Sequence, residues 1–148
     1  KLKTNIAKAF LITKDLSLLV GAEGGFRIGN DNIPALNFGF GGYALNQINN
    51  YGNMFGYDFF SLSGNSFIKA YFNMDYEFHK RHHLNFSGNF SNIGDDIFVT
   101  KSWLEPPSYS GYALGYGLET IFGPIELKYN WSPENNFNGV FINLGYWF

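Results

Sequence analysis

Charged and potentially reactive residues are few in this chain and they recur at regular positions. His79, His82 and His83 lie close together and follow Asp75 and Glu77. Imidazole and carboxylate are the ligand types that converge on a metal ion. No fixed ligand spacing accompanies them, and the group reads as a solvated turn with no metal. A serine hydrolase would need a Gly-x-Ser-x-Gly elbow; Gly111-Tyr112-Ala113-Leu114-Gly115 carries Ala where the nucleophile would stand. Cysteine is absent, which removes disulfides, thiolate ligands and a thiol nucleophile together. No catalytic motif and no cofactor follow from these residues.

A second set of charges has a different logic. Glu23, Arg27, Lys69, Asp75, Glu77, Glu119, Glu126 and Lys128 all fall on the polar side of segments in which apolar and polar residues alternate. Alternation with period two marks a strand with one apolar face. Lys69, Tyr71, Asn73, Asp75 and Glu77 oppose Ile68, Ala70, Phe72, Met74, Tyr76 and Phe78. The same pattern predicts strands over 4–13, 16–28, 82–93, 110–122, 123–132 and 139–148. It is weakest in 4–13, where Lys8 stands between Ile6 and Phe10. Residues 29–65 and 92–109 are long connections; the first holds a short alternation, Leu36, Phe38 and Phe40, which would make a strand over 35–41. Tight turns are expected at 14–15, 79–82 and 123–124, and residues 132–138 form a loop before the last strand.

Composition decides which side of such strands meets water. Aromatic residues make up 20% of the 148 residues and charged residues 15%, against about 25% in a soluble domain. A net charge of −2 gives no footprint for nucleic acid. No run of about 18 apolar residues exists, so no membrane helix is expected. The polar faces hold mostly Ser, Asn, Gly and Ala, too sparsely charged for a solubilising surface. Aromatics gather near both ends of the apolar faces: Phe67, Tyr112, Tyr129 and Trp131 at one end, Phe78, Phe122, Tyr146 and Phe148 at the other. Short turns alternate with long loops. These features predict an all-β fold, an antiparallel transmembrane β-barrel with polar faces lining a lumen. The alternating last strand closed by Phe148 resembles the end of Gram-negative outer-membrane barrels, which implies that membrane. A lipid-facing Arg or Lys costs about 2–4 kcal/mol at the bilayer midplane, so the eight charges would form a lumen-facing network. A His/Ser/Glu esterase in the wall would need its histidines near the outer leaflet, whereas His79, His82 and His83 fall on a periplasmic turn.

Strand count leaves two readings open. Seven strands result if 29–65 is one loop, and eight if 35–41 crosses the membrane. Eight would suit a complete small barrel, structural or adhesive; a pore is a third reading. Seven would be the C-terminal part of a larger barrel. The start at Lys1, with neither Met nor a signal segment, points to a processed, trimmed or partial chain.

The stretches Phe40-Gly41-Gly42, Gly56-Tyr57-Asp58, Ser110-Gly111-Tyr112-Ala113-Leu114-Gly115-Tyr116-Gly117-Leu118-Glu119 and Phe122-Gly123-Pro124-Ile125-Glu126-Leu127-Lys128-Tyr129, with Phe148 last, carry a family resemblance. From about residue 30 onward the chain resembles the C-terminal half of the outer-membrane insertase and two-partner-secretion transporter superfamily. It is most similar to the surface-antigen barrel attached to bacterial patatin-like phospholipases. The resemblance implies seven C-terminal strands of a barrel of about sixteen. It also implies that 29–65 folds back into the lumen and presents Gly56, Tyr57 and Asp58, and that Tyr146 and Phe148 are read by the barrel-assembly machinery. Transporters and insertases carry Val-Arg-Gly-Phe/Tyr in that loop, and Met54-Phe55-Gly56-Tyr57 lacks the Arg. The implied role is to anchor, export or position an upstream phospholipase domain. The implied partners are outer-membrane lipid, the assembly machinery, and either another copy or the missing N-terminal half.

Overall fold

A computed structural model of the chain describes residues 1–29, 36–43 and 50–145. Seven long strands pair as antiparallel neighbours into one sheet: β1 (Leu2–Thr13), β2 (Leu16–Phe26), β6 (Ser66–His79), β7 (His82–Gly94), β8 (Tyr109–Thr120), β9 (Gly123–Ser132) and β10 (Asn135–Leu144). A small separate sheet, in the order β4-β3-β5, joins β3 (Phe38–Phe40), β4 (Tyr51–Gly52) and β5 (Leu62–Gly64). The large sheet is open: β1 and β10 are its edges and are not paired with each other.

Register follows the alternation. Leu18, Met74, Phe86, Leu114 and Tyr129 lie along one row of partners, and Val140 extends it. Met74, Leu114, Tyr129 and Val140 are exposed, as are Ile142, Leu144, Leu127, Tyr76 and Phe78. An exposed apolar face of this extent is what a hydrocarbon solvent requires, and its aromatic rings stack across strands: Tyr112 on Phe86 at 6.3 Å and on Trp131 at 5.9 Å. On the other face lie Glu23, Lys69, Asn89, Lys128 and Asn130, all buried although polar.

The turns are set by local chemistry. Lys14-Asp15 is closed by Asp15 N–H donating to Thr13 Oγ1 at 3.3 Å. Arg81 takes φ +66° in the Lys80-Arg81 turn. The turn expected at Gly123-Pro124 falls instead on Ile121-Phe122; Gly123, at φ +112°, already pairs with Thr120 as the first residue of β9. The loop expected over 132–138 is a two-residue turn at Pro133-Glu134, because Asn135 already pairs with Ser132 and a register shift follows before Asn138. β2 ends at Phe26, two residues early, where Arg27 N–H turns to donate to Asn65 O at 2.9 Å.

Two further differences, and the place of Lys8 between Ile6 and Phe10, matter for function. The segment 35–41 is not an eighth wall strand: Phe38–Phe40 belongs to the small sheet. Phe67 is not on the lipid-facing row; it is 0% exposed and packs with Phe38 and Phe40 on the polar side. Lys8 pairs with Val20, next to Phe72, and so stands on the apolar face, its ammonium 5.1 Å from the Phe10 ring. The second long connection holds a short helix, α1 (Ile97–Thr100), and a 3-10 turn at Ser102–Leu104. Tyr146 and Phe148 lie outside the described residues.

Candidate functional site

The long connection between β2 and β6 folds back onto the polar face of the sheet. Its core is Phe38, Phe40, Met54 and Tyr57 around Phe67, with ring centroids of Phe38 and Phe40 at 4.9 and 4.8 Å from that of Phe67. The three apolar side chains of Phe38, Phe40 and Phe67 thus bury one another where the wall alone would leave polar space. Tyr51 donates its hydroxyl to Gly41 O and ties β4 to the turn after β3.

At the apex of the loop, Gly56 is seated on the wall. It adopts φ +73°, and a Cβ there would fall on the backbone of Trp131 and Ser132. Only glycine supplies both that dihedral and that closeness without strain. Gly111 makes the matching space on β8, where a Cβ would meet Phe55 O. Gly56 N–H donates to Asn130 Oδ1 at 2.7 Å, and Asn135 Nδ2 donates to Gly56 O at 3.1 Å. Both backbone groups of the apex are therefore satisfied by wall side chains, as buried backbone polar groups require.

Tyr57 enters a cluster built on Glu134. Ser110 donates to the Glu134 carboxylate through Oγ at 2.7 Å and through its N–H at 3.2 Å. Ser132 Oγ lies 2.7 Å from the same carboxylate and 3.1 Å from the Tyr57 hydroxyl. Partial burial alone would push the Glu134 carboxyl up, but the bonds from Ser110 and Ser132 outweigh it and hold it below the usual carboxylate value. Burial raises the Tyr57 phenol, opposed by the Ser132 bond and reinforced by the Glu134 charge.

The eight predicted wall charges separate into groups. Lys69 is buried and pairs with Glu23, which also meets Lys3 at 3.4 Å; Lys69 Nζ donates on to Asn53 O of the loop at 3.2 Å. Lys128 pairs with Glu126 at 2.9 Å and donates to the Tyr43 hydroxyl at 3.1 Å, its ammonium lying 4.5 Å from the Tyr43 ring centre. Tyr43 itself packs between Phe55 and Phe141, at 5.6 and 5.5 Å. Glu23, Lys69 and Lys128, with Tyr51 and Asn89, line a cavity of about 590 Å³ under the loop. Asp75 and Glu119 instead belong to the tight-turn end, on either side of His83 at 2.8 and 3.7 Å. Glu77 accepts the Arg81 N–H at 3.0 Å in the same region. Arg27, expected in the lumen-facing set, stands beyond the end of β2 and lines a separate cavity with Phe26, Asp96 and Phe98.

The loop motif divides in the same way. Gly56 and Tyr57 touch the wall, whereas Asp58 is exposed, and its carboxylate accepts the adjacent Phe59 N–H at 2.7 Å. The residues that hold the apex, Asn130, Ser132, Ser110, Glu134 and Asn135, carry no predicted role. Asn130 and Ser132 share the side of β9 that holds Glu126 and Lys128, so alternation alone places them on the polar face.

No curated protein matches the sequence. The family model for the OMP85 superfamily matches residues 1–148. Members of that superfamily are outer-membrane proteins of Gram-negative bacteria, and the open antiparallel sheet of seven strands has the form of part of such a barrel. The chain belongs to the OMP85 superfamily.

Proposed function

We propose that this segment is the wall of an outer-membrane barrel whose lumen is closed by its own loop, and that it anchors an upstream patatin-like phospholipase domain. The polar face then lines the lumen. The end carrying residues 27–65 and 95–108 is extracellular, and the turns at 14–15, 80–81 and 121–122 are periplasmic. Hydrocarbon leaves no water to satisfy a free strand edge. In this reading β1 and β10 therefore pair with the remaining strands of a barrel of about sixteen.

The observation that carries a closed lumen is the seating of Gly56 on Trp131 and Ser132, with Asn130 and Asn135 satisfying its backbone. The anchoring role is supported by Phe55, which stands where insertases and transporters present an arginine. It is occupied in packing against Tyr43 and has no charge to offer a passing chain. The phospholipase is supported by the resemblance of Phe122 to Tyr129 and the stretches before it. In full-length protein, outer membranes should hydrolyse phospholipid, and removal of the domain upstream of Lys1 should abolish this while the barrel stays in the membrane. In planar bilayers the protein should show no steady conductance until residues 50–64 are deleted. Membranes without hydrolysis would remove the phospholipase; steady conductance by the intact protein would remove the closed lumen.

A further inference from the structure

The connection between β7 and β8 does not stand above the barrel; it folds down over the apolar side of the sheet. Asn92 shows this. In β7, Leu84, Phe86 and Phe90 share its side, yet Asn92 is 6% exposed. Its amide donates to Ser102 O at 3.1 Å and Glu105 O at 3.0 Å, and its Oδ1 accepts Ser108 N–H at 2.7 Å. Ser66, in register with Phe26 on that same side, accepts Ile97 N–H on its Oγ at 3.0 Å. Asn65 exchanges bonds with Asp96, receiving its N–H at 2.8 Å and donating to its carboxylate at 3.1 Å. Residues 95–108 are thus a fixed shelf on the outer side of the wall.

The shelf presents apolar groups rather than the polar ones expected of an exposed loop. Phe98 packs edge-on to Phe26 at 6.0 Å and lies 6.2 Å from Trp103. Val99 is 81% exposed and Leu104 65%. Between the shelf and the end of β2 is a cavity of about 340 Å³ walled by Phe26, Phe98 and Val99, with Arg27 and Asp96 also on its lining. Lys101 is exposed between α1 and the 3-10 turn. An apolar cavity with Arg27 on its lining and Trp103 packed against its wall residue Phe98 matches the boundary between acyl chains and headgroups.

We infer that this cavity binds an acyl chain of a phosphorylated glycolipid of the outer leaflet, with Arg27 and Lys101 facing its phosphates. The occupant is a lipid because the cavity is continuous with the apolar face of the wall through Phe26, and because the exposed Val99 and Leu104 extend that face. Asp96, which also lines the cavity, is held by Asn65 through two hydrogen bonds. The inference rests on the membrane reading and the orientation given above.

The test is retention of lipid A by full-length protein purified in detergent and read by native mass spectrometry. Variants are Phe98→Ser with Val99→Ser, and Arg27→Gln with Lys101→Gln; a folded-barrel shift in electrophoresis controls for folding. Wild-type protein should retain lipid A over its dephosphorylated form. The apolar pair of changes should lower retention of both forms at least about tenfold, the scale expected from removing large apolar contacts. The cation changes should erase the preference for phosphate. Equal retention by wild type and the Ser variant overturns the inference, and so does a dimer that the Ser variant abolishes while lipid retention is unchanged. Vesicle flotation separates the two levels: protein that fails to float with phosphatidylethanolamine vesicles overturns the membrane reading itself, whereas protein that floats but retains no lipid A overturns only this site.

Discussion

Gly56 N–H and Asn130 Oδ1, 2.7 Å apart, join the apex of a long loop to the final residues of a wall strand, 74 residues later. The same asparagine donates to Gly139 O of β10 at 2.8 Å, so one side chain spans the loop and two strands. Gly56→Ala introduces a Cβ onto the Trp131 and Ser132 backbone and places a non-glycine residue at φ +73°, which costs about 1–2 kcal/mol before any clash. The expected outcome is a loop released from the wall in a barrel that still assembles. Proteinase K cleavage within residues 50–64 should become fast in the variant and stay slow in the wild type. Equal cleavage rates would show that the apex is not what holds the loop.

Acid should loosen the same contact. Glu134 has its carboxyl lowered by Ser110 and Ser132, so the folded state favours the charged form more than an unfolded chain with the ordinary value of 4.5 does. Its contribution is complete above that ordinary value and is lost as pH falls below it and through the lowered folded value. Loop cleavage by an acid-active protease such as pepsin should therefore rise as pH drops below about 4.5. In Glu134→Ala the loop should be open already at neutral pH and change less on acidification. A cleavage profile identical in the variant and the wild type would exclude the cluster as a latch.

Buried charge in the wall gives a third expectation. Lys69 and Glu23 are both buried, and removing either leaves the other without its main partner. Glu23→Leu or Lys69→Met alone should each destabilise by about 3–5 kcal/mol, while the double variant should recover most of the loss. Urea unfolding in detergent measures this. A double variant as unstable as the worse single would mean that Lys69 acts mainly through its bond to Asn53 O.

Lys8 supplies the opposite case, a cation on the apolar face. Lys8→Leu should stabilise the barrel, by up to about 2–4 kcal/mol if the position lies at the bilayer midplane. Destabilisation by this change would show instead that the strand pairing with the free edge of β1 sets a carboxylate beside the ammonium.

The position of Lys8 was legible between Ile6 and Phe10, whereas Phe67 shows where sequence reading stopped. The wall was readable because a sheet between lipid and lumen must alternate, and β6, β7, β8 and β9 do so almost without exception. Phe67 broke the inference because the inner side is not uniformly polar: a loop with its own aromatic core sits there and accepts a phenylalanine from the wall. β10 began earlier than expected because Asn135 to Asn138 carry no apolar alternation, yet their backbone continues the ladder past a register shift. Glu23, Lys69, Glu126 and Lys128 share the polar side of the wall, whereas Arg27 lines the cavity beside Phe26 and Phe98, and the apex is held by neutral side chains, Asn130, Ser132 and Asn135, and by Glu134 in a turn. Nothing in their types marks them apart from the other Ser and Asn residues of the chain; their position in the register does. Asn92 was open to the same reasoning, as the polar residue on the side of β7 that holds Leu84, Phe86 and Phe90.

The pairing of β2 with β6 has a kinetic meaning. Every other junction in the large sheet joins strands separated by a two-residue turn or by the connection at 95–108, but this one brackets residues 27–65. Closing a loop of that length rather than a two-residue turn costs roughly 2–3 kcal/mol more in chain entropy before any ladder bond repays it. The β1–β2 hairpin and the block β6–β10 are therefore the natural units of assembly, each dominated by contacts near in sequence, and the seam between them is the slow step. The aromatic core of the loop, holding Phe67 at the head of β6, lies at that seam, so the element that covers the polar face of the sheet also shortens the search by which its two parts find their register.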